Sequence, residues 1–136
     1  MNKLLLRSEL KRDEGERLRL YKCSSGKFTI GIGRNIEDNG ISKDESDLMF
    51  ANDVARVEKE ARTVFMRWDM FSDARQRAFL NMLFMGLTRF RTFENMIDAA
   101  ICGEWDRAAD EALDSLWARQ VGDRAKRVAN MLRSGK

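Results

Sequence analysis

The stretch from Asp13 to Gly33 constrains the fold of this chain more than any other. Residues 2–13 are rich in leucine, and the leucines recur among basic residues with the spacing of a short amphipathic helix. This segment runs into Glu14 and then meets Gly15, a residue type that commonly terminates helices. The pattern therefore predicts a helix whose last turn carries a carboxylate.

A β-hairpin is predicted directly after this helix. Short β-type runs at residues 18–22 and 27–32 flank a Ser-Ser-Gly turn. Because successive side chains of a strand point to opposite faces, Thr29 lies opposite Phe28 and Ile30. If those two apolar side chains face the core, the hydroxyl of Thr29 is available to a cleft.

The middle of the chain predicts a loop followed by a long helix. Residues 34–41 are polar and are expected to form a loop. Ser42 and Glu45 have the spacing of a capping box, in which each side chain bonds the backbone amide of the other residue. Apolar residues at helical spacing then continue for about six turns, roughly 33 Å. This helix, near residues 43–64, is expected to connect two lobes.

The remainder of the chain carries only helix signals. The segment 73–84 is rich in apolar residues and is expected to be a helix at the centre of a C-terminal lobe. A short link containing Trp117 is predicted at residues 115–119. Three further helices are predicted at 92–102, 104–113 and 123–132.

The composition is that of an ordinary soluble, helix-rich domain. The chain has 136 residues, of which 43% are hydrophobic and 35% are charged, and this is the size of one domain. Its 25 basic and 22 acidic residues are interspersed and give a net charge of +3. Such a mild excess fits nucleic acid, a membrane surface or an anionic wall polymer, but a solvated surface is the favoured interpretation.

The absence of histidine excludes several kinds of site. Neither a Ser-His-Asp or Cys-His nucleophilic centre nor the usual zinc hydrolase site can be built without it. Cys23 and Cys102 form no CxxC pair and are expected to be reduced thiols. We therefore expect chemistry based on carboxylates and hydroxyls, with no metal and no organic cofactor.

The N-terminal residues do not predict an export signal. The run Leu4-Leu5-Leu6 is interrupted by Arg7 and Glu9, so it is too short for a signal peptide or a membrane span. The protein is therefore expected to remain in the cytoplasm unless another factor releases it.

Several motifs in combination resemble one family. Asp13-Glu14-Gly15 is followed by Leu18-x-x-Tyr21 and by Gly26-x-x-Thr29-Ile30-Gly31-Ile32-Gly33. This order closely resembles the N-terminal signature of phage-type lysozymes, the endolysins of glycoside hydrolase family 24. The resemblance covers nearly the whole chain and continues through Gly40-Ile41-Ser42, Asn81-Met82-x-Phe84, Ser115-Leu116-Trp117 and Arg124-Ala125-x-Arg127-Val128.

The resemblance implies a fold and an activity. The implied fold is α+β but predominantly α, a single two-lobed domain with a small N-terminal β-hairpin lobe and a helical C-terminal lobe. The lobes are expected at about residues 13–60 and 61–136, with the helix of residues 1–12 joined to the second lobe. The implied activity is that of a muramidase, which cleaves the β-1,4 bond between N-acetylmuramic acid and N-acetylglucosamine in peptidoglycan with inversion.

The resemblance also implies site residues. Glu14 occupies the position of the general acid, and Thr29 that of the residue whose hydroxyl positions the attacking water. Arg124 matches an arginine that pairs with the catalytic glutamate across the lobes. The positions expected to bind substrate are Asn35, Phe84, Glu111 and Trp117, although Glu111 stands where the family has an asparagine.

Cys23 is the main departure from the family pattern, because an aspartate is expected there as the second catalytic carboxylate. A thiol with its ordinary pKa of about 8.5 is mostly neutral at pH 7 and is a poor substitute. Three outcomes stay open: Cys23 ionises in part and serves, Glu14 and Thr29 suffice at a reduced rate, or the protein binds peptidoglycan without cutting it.

The resemblance further implies partners and location. Peptidoglycan is the expected partner of a monomer that makes no stable membrane insertion and reaches the wall from the host cytoplasm through holin lesions. One rival hypothesis is a catalytically impaired wall-binding or regulatory module, motivated by Cys23. Another is a basic nucleic-acid binder, which would show steep salt dependence and indifference to Glu14→Gln.

Overall fold

The structure is a computed structural model that describes all 136 residues. It contains nine α-helices, one 3₁₀ helix and a three-stranded antiparallel sheet, which confirms the predicted α+β, predominantly α, fold class. Residue contacts divide the chain into two compact units, residues 1–49 and 50–136. The predicted lobes, with a boundary near residue 60 and residues 1–12 in the second lobe, differ from this division and stay a prediction.

The first unit begins with the predicted helix, α1 (Lys3–Glu14). The side chain of Asn2 caps this helix, since its Oδ1 accepts hydrogen bonds from the amides of Leu4 and Leu5, each at 3.1 Å. The helix ends at Gly15, whose φ of 78° lies in the region that favours glycine. Glu14 is therefore the last helical residue, as the sequence predicts.

The predicted hairpin is confirmed. Strand β1 (Arg17–Lys22) pairs antiparallel with β2 (Phe28–Gly31), and Tyr21 lies opposite Thr29. The turn between them closes because the amide of Gly26 donates to the carbonyl of Cys23 at 2.9 Å.

The prediction of a loop at residues 34–41 is wrong over most of its length. Strand β3 (Arg34–Asn35) pairs with β2 and gives the sheet order β1-β2-β3, and the short helix α2 (Ile36–Asn39) follows at once. The tight reversal is possible because Gly31 and Gly33 have φ values of 67° and 70°. Asn35 then caps α2, so a polar sequence forms ordered structure through its own side chains.

The long predicted helix is confirmed as α3 (Lys43–Val64), and its capping box is present. The amide of Glu45 donates to Ser42 Oγ at 3.2 Å, and the amide of Ser42 donates to Glu45 Oε2 at 2.7 Å. The guanidinium of Arg34 also pairs with the Glu45 carboxylate. The end of the sheet is thereby attached to the start of α3.

The second unit contains the apolar core. It comprises a 3₁₀ helix (Trp68–Met70) and the helices α4 (Asp73–Leu83), α5 (Leu87–Phe90), α6 (Glu94–Ile101), α7 (Trp105–Leu113), α8 (Leu116–Val121) and α9 (Asp123–Ser134). Helix α4 packs against α9, and α7 packs against both α6 and α9. The rings of Phe65 and Phe79 lie 4.6 Å apart within a cluster of aromatic side chains. None of the helices is long and apolar enough to cross a membrane.

Two predictions in the second unit are corrected. The link predicted at residues 115–119 is the start of α8, because Ser115 Oγ accepts a hydrogen bond from the amide of Ala118 at 3.1 Å and caps the helix. The helix predicted at 92–102 is shorter, Glu94–Ile101, and follows the separate short helix α5.

Candidate active site

The first candidate residue, Glu14, presents a free carboxylate. Its side chain is exposed at the end of α1. The adjacent Asp13 pairs with Arg12 at 2.8 Å, whereas Glu14 takes part in none of the ion pairs of the first unit. Its side chain lies beside the backbone of Gly33, where an added Cβ atom would lie only 3.2 Å from Oε2 of Glu14. The carboxyl group is thus positioned by packing beside Gly33 and not by an ion pair, and it remains available to a substrate.

Cys23 lies at the end of β1, where the hairpin turn begins, and is half-buried and not in a disulfide. Its Sγ atom lies 3.0 Å from Oγ of Ser25. The Ser25 hydroxyl, the Thr29 hydroxyl and the backbone groups of Ser25 and Lys27, in that order, lower the pKa of the Cys23 thiol to about 7. Roughly half of the thiol is therefore ionised at pH 7, considerably more than its ordinary pKa would give.

Thr29 is the only buried residue of the first unit, with 3% of its surface exposed. Its hydroxyl donates a hydrogen bond to the carbonyl of Lys27 at 3.0 Å. The condition that Phe28 and Ile30 face a core fails, because Phe28 is 40% exposed and Ile30 is only partly buried. Thr29 lies on the buried face of the hairpin, and its hydroxyl lowers the pKa of the Cys23 thiol. Its role in positioning the attacking water stays a prediction.

Asn35 is already engaged within the protein. Its Oδ1 accepts from the amide of Asp38 at 3.1 Å, and its Nδ2 donates to the carboxylate of Asp38 at 2.8 Å. Lys27 also contacts that carboxylate at 3.1 Å, and Lys27 and Asn35 together lower the pKa of Asp38. Asn35 therefore shapes the sheet edge opposite Thr29, and its contact with substrate stays a prediction.

In the second unit, Arg124 and Phe84 line one cavity of about 540 Å³. The Arg124 guanidinium donates to the side-chain oxygen of Asn81 at 2.8 Å and to the backbone carbonyl of Asn81 at 2.7 Å. Phe84 is 45% exposed beside it. This cavity combines an oriented cation, an amide and an accessible aromatic face.

Glu111 and Trp117 line a different cleft of the second unit, with a volume of about 410 Å³. Trp117 is buried and packs edge-on against Phe93, with the ring centroids 6.2 Å apart. Glu111 is half-buried, and Glu94 and Arg89 also line the cleft. Trp117 therefore forms part of the core beneath the cleft, and Glu111 supplies a polar group at its wall.

Comparison with known protein families decides the identity of the fold. The family model of phage lysozyme matches residues 11–133, which is nearly the whole chain. The chain belongs to the phage lysozyme family. This membership supports a lysozyme-type glycoside hydrolase that degrades peptidoglycan.

Similar proteins agree with the assignment to the phage lysozyme family. Two probable T4-type lysozymes of Dictyostelium discoideum are each 28% identical, over 96% of this chain and 94% of their own length. The pre-baseplate central spike protein Gp5 of Enterobacteria phage T4 is 31% identical over 93% of this chain. The matched region spans about a quarter of that spike protein, 27% of its length.

In this member of the phage lysozyme family, the predicted site residues are brought together only within each unit. The hairpin brings Cys23 and Thr29 together, whereas Glu14 packs against Gly33. The pairing of Arg124 with Glu14 involves residues of different units and stays a prediction. No group of three or more cysteine, aspartate or glutamate side chains is arranged to hold a metal ion.

Sequence reasoning missed two residues that shape the site. The contact of Ser25 with Cys23 was not predicted, although the Ser25 hydroxyl is the main cause of the low thiol pKa of Cys23. A hydroxyl two residues after a cysteine in a tight turn is a signal that could have revealed this contact. Gly33 and Glu14 are distant in sequence but adjacent in the fold, and no local sequence pattern indicates that they are neighbours.

Proposed function

We propose that the protein is a muramidase that hydrolyses the β-1,4 bond between N-acetylmuramic acid and N-acetylglucosamine in peptidoglycan, with inversion, and that it serves host lysis by a phage. The observation that carries this proposal is the free, exposed carboxyl of Glu14 at a helix end, in a chain that belongs to the phage lysozyme family. An inverting glycosidase needs such an acid on one side of the scissile bond and a base for water on the other.

We assign to Glu14 the role of general acid. In this role its protonated carboxyl transfers a proton to the glycosidic oxygen as the bond to the anomeric carbon breaks. The absence of a local ion pair supports the role, because the carboxyl is not engaged by a neighbouring side chain and is accessible to the glycosidic oxygen.

We assign to the thiolate of Cys23 the role that a carboxylate has elsewhere in the family. The thiolate accepts a proton from water as the water oxygen attacks the anomeric carbon, and its negative charge stabilises the cationic transition state. Solvent then returns the proton to Glu14 and removes the one on sulfur. The hydroxyls of Ser25 and Thr29 support this role, because both favour the ionised thiol.

We assign sugar contacts to the second unit. The exposed ring of Phe84 offers a face for a pyranose, and the Arg124 guanidinium, oriented by Asn81, offers hydrogen bonds to hydroxyl, amide or carboxylate groups of the polymer. Glu111 is an acceptor for sugar hydroxyls at the wall of the other cleft.

Lysis of permeabilised Gram-negative cells tests the proposal. Glu14→Gln is expected to lower the initial rate by about 10²- to 10⁴-fold, because it removes the transferable proton. Cys23→Ala is expected to be slower than the wild type, and Cys23→Asp at least as fast. Circular dichroism of each variant controls for folding, and muropeptide analysis with determination of the anomeric configuration identifies the bond and the stereochemistry. A wild-type rate equal to that of Glu14→Gln would refute the catalytic assignment.

The pH dependence of the same assay tests the role of Cys23. The rate requires both the protonated carboxyl of Glu14 and the thiolate of Cys23. Since the thiol has a pKa of about 7, the wild-type pH–rate profile is expected to change slope near pH 7. In Cys23→Asp the base is a carboxylate with an ordinary pKa of about 3.9, so this change of slope near pH 7 is expected to be absent. Identical profiles for the two proteins would exclude Cys23 as the base.

A second candidate function is a peptidoglycan-binding module without hydrolysis. It is favoured by a single observation, that a thiol stands in place of a carboxylate at position 23. This alternative predicts that the wild type and Glu14→Gln sediment equally with purified peptidoglycan and that neither releases muropeptides. Release by the wild type alone would exclude it.

The proposal of host lysis includes a monomer that reaches the wall from the cytoplasm through holin lesions. It is supported by membership of the phage lysozyme family. Expression with and without a holin tests this part, and lysis that does not depend on the holin would contradict it. Size-exclusion chromatography with light scattering tests the monomeric state.

A further inference from the structure

We infer that Gly33 is a positioning residue for Glu14, because the backbone at Gly33 forms the surface against which the Glu14 side chain packs. The inference rests on the proposed function, in which Glu14 is the general acid. It concerns how the acid is held and not which residue supplies the proton.

The contact is closer than a side chain at position 33 would allow. A Cβ atom built on Gly33 would lie 3.2 Å from Cγ, 3.2 Å from Oε2 and 3.3 Å from Cβ of Glu14. Carbon atoms in favourable contact lie about 3.5–4.0 Å apart, so any larger residue would displace the Glu14 side chain. Glycine at position 33 therefore permits the present orientation of the carboxyl.

The backbone that follows Gly33 is anchored to the start of helix α3. The next residue, Arg34, is the first of β3 and pairs with Glu45 at the start of α3. Glu45 also accepts a hydrogen bond from the amide of Ser42 at 2.7 Å. Arg34, followed by the Ser42 amide, lowers the pKa of Glu45 to about 2, so the pairing persists at the neutral pH of a lysis assay.

Gly31 provides a matched control in the same turn. Gly31 and Gly33 have nearly equal positive φ values, 67° and 70°, so alanine is strained to a similar degree at either position. A Cβ atom on Gly31, however, would meet no atom within 4 Å. The two alanine variants therefore share the backbone strain and differ in the contact with Glu14.

The experiment compares Gly33→Ala and Gly31→Ala on soluble peptidoglycan fragments, with kcat and KM determined separately. Both variants are expected to lose a similar amount of thermal stability. Gly33→Ala is expected to lower kcat by roughly several-fold with KM nearly unchanged, because the Glu14 side chain must shift by a few tenths of an ångström and kcat is sensitive to misplacement of a reacting group. Gly31→Ala is expected to keep a kcat close to that of the wild type. Equal losses of kcat in the two variants, or full activity of Gly33→Ala, would overturn the inference.

A second measurement separates this inference from the proposed function. In wild-type protein, nuclear Overhauser contacts are expected between the α-protons of Gly33 and the γ-protons of Glu14. Their absence in the folded protein would overturn the positioning role, even if Gly33→Ala fails to fold. Their presence in a wild type that hydrolyses nothing would support the packing while refuting the muramidase proposal.

Discussion

The two units of this protein are stabilised in different ways. Every buried apolar side chain lies in the second unit, between Val57 and Leu132, whereas Thr29 is the only buried residue of the first. The first unit is held instead by its strand pairing, by helix caps at Asn2, Asn35 and Ser42, and by exposed ion pairs. Apolar burial is the dominant stabilising term in folding, so the global stability of the chain depends mainly on the second unit.

This difference separates stability from chemistry. The proposed acid, base and supporting hydroxyls, Glu14, Cys23, Ser25 and Thr29, all belong to the unit without an apolar core. Regions with few buried apolar contacts open at lower free energy than cores do. Substitutions in the first unit should therefore change catalysis more than global unfolding, and core substitutions in the second unit should do the reverse.

The largest expected effect is on stability, from Phe79→Ala. Phe79 is fully buried in the aromatic cluster, and truncation of a buried Phe typically costs about 3–5 kcal/mol. Urea denaturation followed by circular dichroism measures this loss. Leu18→Ala in the first unit is the control, since Leu18 is 84% exposed and its loss is expected to stay within about 0.5 kcal/mol. Comparable losses for the two variants would contradict the contrast between the units.

A smaller, chemical effect is expected from Ser25→Ala. Removal of this hydroxyl takes away the main cause of the lowered pKa of Cys23, so the thiol pKa should rise from about 7 toward its ordinary value. The rate of alkylation by iodoacetamide at neutral pH should fall several-fold, because only the thiolate reacts. Cys102→Ser provides a background with a single thiol, and Ser24→Ala is the control within the same turn. An unchanged alkylation rate would show that Ser25 has no part in activating Cys23.

The smallest expected effect concerns acid stability and Glu45. Its folded pKa of about 2 lies below its ordinary value of 4.5, because Arg34 and the Ser42 amide bind the carboxylate. The stabilisation is therefore complete above pH 4.5 and is lost as the pH falls from 4.5 through about 2. As the pH falls through this window, the melting temperature should decline less steeply for Glu45→Gln than for the wild type. Identical slopes would show that the ion pair is absent in solution.

The sequence predicts the elements of this structure that local signals mark. The bounds of α1 and α3 were predictable because caps and glycines act locally, and Ser42 with Glu45 forms the expected capping box. Strand β3 and helix α2 were missed because a polar stretch carries no hydrophobic period. The burial of Thr29 was left open because alternation indicates which residues share a face but not which face is buried.

The sequence predicted the candidate-site residues that belong to a motif. It did not predict the contacts that these residues make with distant parts of the chain. Glu14, Cys23 and Thr29 stand in a recognisable motif, and the structure brings the last two together. The contact of Gly33 with Glu14 joins residues far apart in sequence. The engagement of Arg124 with Asn81 likewise depends on how two helices pack, which local patterns do not determine.

The short distance between the sulfur of Cys23 and the hydroxyl of Ser25 also has a practical consequence. A thiol that is partly ionised near neutrality reacts with alkylating reagents under mild conditions, whereas an aspartate at this position would be far less reactive toward them. In Cys102→Ser protein, the amplitude of the fast phase of alkylation would measure the fraction of molecules with an intact hairpin, because the thiol of an unfolded chain has its ordinary pKa and reacts more slowly. Cys23 thereby offers a chemical probe of the candidate site that a carboxylate at this position would not offer.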